Sequence, residues 1–208
     1  MALRQTKLVL ALLLAIVTSL GVMAASPSAE QCLDKTATTL TSSKSVTVKF
    51  GYTAAGNHAN GSMTMSGRKF TFNLGNIAVW YNGTLQWALN RSDNEVTLTK
   101  PTAAEVVESN PFAILTSYKQ NYTPTLTKST KSEYTVTLKP KKRGGQITSA
   151  IIRINAANYN PMGLTLKLSD GSYITVSVTS VIRGATLPAS YFQYDARSNP
   201  KVEIIDLR

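Results

Sequence analysis

GSMTMSGRKFTFNLGNIAVWYNGTLQWALN, residues 61–90, is the stretch on which the reading of this 208-residue chain turns. Within it Met63 and Met65, then Phe70, Phe72 and Leu74, then Ile77, Val79 and Tyr81, and then Leu85, Trp87 and Leu89 recur at every second position. A period of two sends alternate side chains to opposite faces, so each run reads as a strand with one drier face. Ser66-Gly67 and Asn82-Gly83 separate the runs, and the second pair is a strong hairpin signal because that turn asks for positive φ at both central positions.

The same period extends outward. Val46, Val48 and Phe50 alternate with Thr47 and Lys49 on one side, and residues 95–99 follow on the other with Val96 and Leu98 on one face. The pattern then breaks: residues 101–107 have helical composition, and Asn110-Pro111 starts a second short helix through Phe112, Ile114, Leu115 and Tyr118. A loop is expected to about Ser132. Strands resume around Tyr134, Val136 and Leu138, over residues 147–154, around Leu164, Leu166 and Leu168, and over residues 173–182. Lys139-Pro140-Lys141-Lys142-Arg143-Gly144-Gly145 and Ser169-Asp170-Gly171-Ser172 read as hairpin connections, and the tail ends in a short strand with Val202 and Ile204. Ahead of the sheet, Ser26 or Ser28 caps a helix with Glu30 and Gln31 in its first turn and Leu33, Ala37 and Leu40 at helical spacing. The fold class is mainly β (α+β): about ten or eleven strands meandering in order, with an N-terminal helix and a short helical insert. Such a meander must close or cover its edges, so a barrel or strongly curved sheet is expected, with the helices on its open or concave side.

Residues 1–25 read as a secretory signal peptide: Arg4 and Lys7, an apolar run over residues 8–20, then small residues at Gly21 and Ala24-Ala25. The run falls short of the roughly 20 residues a spanning helix needs. Residues 26–208 are then one domain, and losing Arg4 and Lys7 lowers the formal charge from +11 to +9. In an exported protein this basic balance points to anionic lipid or acidic partners rather than nucleic acid. Cys32 follows Ala29-Glu30-Gln31 and so lacks the setting of a lipidation site; with no second cysteine for a disulfide, it reads as a buried helical thiol.

The catalytic inventory is thin. His58 is the one histidine and reads as a solvated loop residue, and the 11 acids are scattered without an apolar setting that would raise a pKa. Arg143-Gly144-Gly145 lies between strands and fits a turn rather than a phosphate loop. No enzyme, metal or cofactor is expected. The basic run at residues 139–143 reads first as a solvated tip that keeps a sheet edge from pairing, with a lipid or partner contact as the alternative. Clustered methionines and aromatics suit either a core or an adaptable apolar surface.

In order and spacing, Gly61-Ser62-Met63-Thr64-Met65, Gly67-Arg68-Lys69-Phe70-Thr71-Phe72, residues 77–80, Asn82-Gly83 with Trp87, Glu95-Val96-Thr97-Leu98, Asn110-Pro111-Phe112-Ala113-Ile114-Leu115 and the closing segments Phe192-Gln193-Tyr194 and residues 200–208 resemble the LolA-like periplasmic lipoprotein carriers. The resemblance covers nearly all of residues 26–208 and implies an unclosed antiparallel β-barrel whose helices act as a lid over an apolar cavity. That cavity would hold lipoprotein acyl chains on their way from the inner to the outer membrane, in the periplasm of a Gram-negative bacterium. Its implied lining is Met63, Met65, Phe70 and Phe72; Trp80, Trp87 and Leu98; Phe112 and Leu115; and Ile152, Ile154, Leu166, Leu168, Ile174 and Val176. Arg68 is the nearest match to an arginine that holds the lid shut, although Lys69 stands where the family usually has a proline. Asn82 replaces an aspartate, and Gln86 replaces a leucine before Trp87. The implied partners are acylated lipoproteins, an inner-membrane releasing transporter and an outer-membrane acceptor, with the chain a monomer. Two other readings compete: an envelope sensor of lipoproteins, and an exported glycan-binding or adhesive β-domain in which Trp80 and Trp87 stack on sugars.

Overall fold

The computed structural model describes residues 26–208 apart from 103–104, 107–109 and 111. The expected signal peptide therefore lies outside the described residues, as do Ala103, Ala104, Val107 and Pro111 of the expected helical insert.

The first helix, α1 (Ala29–Thr41), starts where a capping box dictates: Ser28 Oγ accepts from Gln31 N–H, and Gln31 Oε1 accepts from Ser28 N–H. Ala29, Cys32, Leu33, Thr36 and Leu40 are its buried residues, one stripe at helical spacing. Thr36 Oγ1 donates to Cys32 O at 2.8 Å, which lets a hydroxyl sit in that stripe. Six strands follow: β1 (Ser45–Ala54), β2 (Asn57–Ser66), β3 (Lys69–Leu74), β4 (Ile77–Tyr81), β5 (Gln86–Asn90) and β6 (Glu95–Thr99). After them come α2 (Ile114–Asn121), then β7 (Tyr122–Ser129), β8 (Glu133–Pro140), β9 (Ile147–Asn155), β10 (Pro161–Leu168), β11 (Tyr173–Gly184) and β12 (Glu203–Asp206).

All twelve strands form one curved sheet in the order β12-β6-β5-β4-β3-β2-β1-β11-β10-β9-β8-β7. The two ends of that order do not pair, so the shell is unclosed. The strands are not one continuous meander, as expected from the sequence, but two. Strands β1–β6 and β7–β11 are joined by the antiparallel β1–β11 pair, and β12 adds to the β6 edge in parallel. Three local expectations also change. Residues 122–129, expected as loop, are strand β7, where Tyr122, Pro124 and Leu126 alternate with exposed threonines; Pro124 is tolerated because β7 is an edge. His58 lies on β2, exposed, beside Thr53 Oγ1 at 2.9 Å, since a tight turn at Ala55-Gly56 lengthens both flanking strands. At Asn82-Gly83 only the glycine takes positive φ, +99°, while Asn82 Oδ1 accepts from Thr84 and Leu85 N–H.

Register fixes which residues share a face. Val46, Met65, Phe70 and Tyr81 lie in one cross-strand row, and Val48, Met63, Phe72, Val79 and Ala88 in the next. In the other half Val136, Ile152, Leu164 and Val176 line up, and Val176 faces Tyr52. These rows, together with the buried stripes of both helices, make the main core. One tight spot locks two strands: Phe50 lies directly across Gly61, and a Cβ there would stand 2.5 Å from the Phe50 ring and 2.9 Å from Asn73 O. On the opposite face Thr47 and Thr64 bridge by hydroxyls at 2.9 Å, and Glu133 is clamped by Arg153 at 3.0 and 2.6 Å and by Lys128 at 3.2 Å.

Two outcomes follow from these contacts. Gly61→Ala should destabilise the protein by about 1–3 kcal/mol through overpacking, whereas Gly51→Ala, with nothing within 4 Å of its Cβ, should change the urea midpoint little. The hydrogen bonds from Arg153, aided by Lys128 and Thr135, hold the Glu133 carboxyl down to about 2 from its ordinary 4.5. A depressed carboxylate stabilises fully above its unfolded value, so that stability should drain away as pH falls from about 4.5 to 2. Glu133→Gln should flatten acid denaturation in that window, and an unchanged profile would assign it elsewhere.

Candidate functional site: an apolar hollow under the helices

Helix α1 touches β7 and β8 on one side and β1 and β2 on the other, so it straps across the inner face. Helix α2 packs against α1 and β7. Phe112, just before α2, meets the Phe50 ring edge-on at 5.9 Å, and Phe50 stacks on Phe72 at 6.0 Å. Phe112, Ile114 and Leu115 then press on Ile152, Pro161, Gly163 and Leu164. What remains between them is a cavity of about 10 Å³, room for about one water and far below the roughly 300–1,000 Å³ of ordinary ligand pockets. Beside it strands β10 and β11 run close, since a Cβ at Gly163 would lie 3.0 Å from Val176 O.

Of the residues expected to line a cavity, Met63, Phe70, Phe112, Leu115, Ile152, Ile154 and Val176 are buried in this inner core, with Met65, Phe72 and Leu166 half-buried against it. Leu168 and Ile174 are half-buried near the β10–β11 turn, outside the packed cluster. Trp80, Trp87 and Leu98 are elsewhere. They share a cross-strand row with Thr47, Thr64 and Thr71, on the opposite face of the sheet. There the chain's end covers them: Tyr194 meets Trp80 edge-on at 5.5 Å, and Trp80 and Trp87 pack with Val202 around Ala78, Leu89 and Val96. Val46, Val48, Phe50, Val136, Leu138 and Leu164 belong to the inner core as well; their alternation was legible, their convergence under the helices was not.

Arg68 is exposed in the β2–β3 turn and makes no hydrogen bond or ion pair with the described residues. The helices are held to one another by Asp34 instead. Tyr118 Oη donates to Asp34 Oδ1 at 2.8 Å, and Lys119 Nζ donates to Asp34 Oδ2 at 2.8 Å. The Lys119 ammonium and the Tyr118 hydroxyl hold the Asp34 carboxyl below the usual carboxylate range, while burial and that carboxylate push the Tyr118 phenol upward. On the other flank of α1, Lys35 Nζ lies 4.5 Å from the Tyr159 ring centre and 3.3 Å from its hydroxyl. Tyr159 adopts φ +57°, an unusual conformation for an aromatic residue. Cys32 is fully buried, and burial pushes its thiol up, away from reactivity. Among the described residues no three His, Cys, Asp or Glu side chains could hold a metal, and no helix is long and apolar enough to cross a membrane. The hollow is lined by apolar side chains, and among the described residues it displays no acid–base constellation.

A sequence profile described as "Outer membrane lipoprotein carrier protein LolA" matches residues 21–172. No curated protein sequence matches the chain. Among solved structures, an uncharacterized conserved protein from Thermus thermophilus superposes with a TM-score of 0.59 at 10% identity, covering 86% of this chain and 98% of that one. A LolA superfamily protein from Nitrosomonas europaea gives 0.41 at 13% identity, covering 81% and 99%. A putative outer membrane lipoprotein-sorting protein domain from Vibrio parahaemolyticus gives 0.44 at 10% identity, covering 79% and 97%.

Asp34→Asn should loosen α2 with little loss of global stability, about 0.5 kcal/mol for a link this exposed. Amide exchange of residues 115–121 is the measurement, and it should speed up. Since the folded carboxyl is depressed, the wild-type link persists above the usual carboxylate range and is lost as pH falls through the folded value. Protection factors of wild type in acid, corrected for the intrinsic pH dependence of exchange, should then match those of the variant at neutral pH.

Proposed function

The chain belongs to the outer membrane lipoprotein carrier LolA family, and from that membership we propose that it binds the acyl chains of lipoproteins in the hollow beneath α2 and shuttles them from the inner to the outer membrane. Residues 1–25 are removed on export, and residues 26–208 work as one carrier domain in the periplasm of a Gram-negative bacterium. An inner-membrane transporter loads it and an outer-membrane acceptor unloads it. It is a binding protein and not an enzyme.

The observation that carries this reading is what fills the hollow. Phe112, Ile114 and Leu115 occupy it from a short helix, with about 10 Å³ left over. Burying each such side chain stabilises by about 1.5–3 kcal/mol, so the three together contribute on the order of 5–9 kcal/mol. A long acyl chain, at about 0.8 kcal/mol per methylene, gains on the order of 10 kcal/mol on leaving water. The two occupants are thus nearly balanced. Swinging α2 out for an acyl chain costs little net free energy, and the reverse exchange allows release. Met63, Met65, Phe70, Phe72, Ile152, Ile154, Leu166 and Val176 are the proposed lining once Phe112 and Leu115 have swung out, with Leu168 and Ile174 at its mouth. The glycan-binding reading needs exposed stacking tryptophans, and the half-burial of Trp80 and Trp87 under the chain's end counts against it.

The test is recovery of bound material. Protein isolated from its host envelope should carry acylated peptides by mass spectrometry, and Phe112→Glu should lower that load by roughly tenfold or more. Ile151→Glu, on the outer face beside Ile152, should leave the load intact. An undiminished load in Phe112→Glu would remove the hollow from consideration.

A further inference from the structure

Lys139, at the end of β8, and Lys141, Lys142 and Arg143, in the loop of residues 141–146, are all exposed. Protecting a sheet edge is not their purpose, because β8 pairs with both β7 and β9, and β9 with both β8 and β10. The loop instead grips the end of α2. Lys141 N–H donates to Asn121 O at 2.8 Å, and Lys141 Nζ donates to Lys119 O at 2.7 Å. Lys141 thereby satisfies carbonyls that a helix C-terminus leaves without an internal partner. The β10–β11 turn joins the same rim: Ser169 N–H donates to Gln146 O at 2.8 Å, and Thr148 Oγ1 to Lys167 O at 3.1 Å, which places Lys167 beside the loop. The acids at this rim are engaged. Asp34 accepts from Lys119, and Asp170 Oδ1 accepts from Ser172 N–H and Oγ. Among the described residues no carboxylate pairs with Lys139, Lys141, Lys142, Arg143 or Lys167.

We propose that this rim docks the protein on an anionic phospholipid surface, and that docking loosens α2 because lipid phosphate takes over the ammonium that Lys141 gives to the helix end. The inference rests on the carrier reading and adds to it the place where the lid opens. An acidic protein would be expected to meet a packed patch with aromatic or apolar anchors. Here exposed cations project from a glycine-containing loop, and the ring beside them, the exposed Tyr173 with Lys167 Nζ 5.9 Å from its centre, is a single amphipathic group of the kind that sits at headgroup level rather than a packed anchor patch, which suits a diffuse field of phosphates. Each lysine or arginine near such a surface strengthens binding by about fivefold, so the group is sufficient for reversible docking.

Flotation of the purified chain with vesicles measures this directly. With about one-third phosphatidylglycerol in phosphatidylcholine, partitioning should exceed that to pure phosphatidylcholine by roughly a thousandfold, and it should collapse as salt shortens the Debye length. The combined Lys139→Ala, Lys142→Ala and Arg143→Ala variant should lose about a hundredfold of it, while its binding of a soluble acyl lipopeptide is unchanged. Equal partitioning to neutral vesicles, an undiminished triple variant, or tighter capture by polyglutamate than by the anionic vesicles overturns docking. Amide exchange of residues 115–121 should accelerate on anionic vesicles, and Lys141→Met should already be accelerated without them; unchanged protection on vesicles overturns the loosening. A wild-type chain that docks but never binds the lipopeptide leaves docking standing and sinks the carrier reading, so the two fail separately.

Discussion

An apolar inner face running across most of a twelve-stranded unclosed sheet has to be kept from water, and two helices of thirteen and eight residues do it. A closed barrel would satisfy this constraint with its own opposite wall. This shell stays open between β7 and β12, so dryness depends on separate pieces that can in principle be exchanged for other apolar matter. The aromatic contact of Phe112 on Phe50, with Phe50 in turn seated over Gly61, is where the segment ahead of α2 meets the sheet.

The two helices are not equivalent. Helix α1 has a capping box, five buried residues including the fully buried Cys32 and Leu33, and contacts spread over four strands. Helix α2 is shorter, and its N-cap position, Ala113, makes no side-chain cap. Its anchorage beyond the hollow is polar and near water: the Asp34 carboxylate, and the Lys141 ammonium at its end. Apolar burial resists salt and pH, whereas such links are screened, titrated or competed away. Local opening is drawn from the least stable segment, so under the proposed function α2, and not α1, is the segment that yields.

How far the sequence itself foretold this depends on how each element is buried. Strands β2 and β3, with Met63, Met65, Phe70 and Phe72 against polar neighbours, declared both their type and their inward phase, as did β1 and β9. Strand β4 reads Ile77-Ala78-Val79-Trp80-Tyr81, apolar at every position, because the chain's end covers its outer side while the core covers its inner side. Period two then fixes two faces without saying which is inside. The tryptophans could be placed only through register, by finding Trp80 opposite Thr71 and Thr71 opposite Thr64. Strand β7 was hidden by Pro124, which an edge tolerates and an interior strand would not.

The lid's polar links were illegible for a different reason. Asp34 and Tyr118 are 84 positions apart, and nothing in either neighbourhood marks a partner. Hydrophobic burial leaves a periodic trace because every turn or pleat must contribute to it, so its imprint is spread over many residues. A charge-assisted link between two packed helices needs one residue on each, and its imprint is a single acid among eleven. Arg68 illustrates the converse: a position picked out by resemblance sits in an exposed turn, while the polar contacts between the two helices come from groups that only the packing of α1 on α2 brings together. In a fold defined by its apolar face, the sheet declares itself by its pattern while the few polar contacts between its helices leave none.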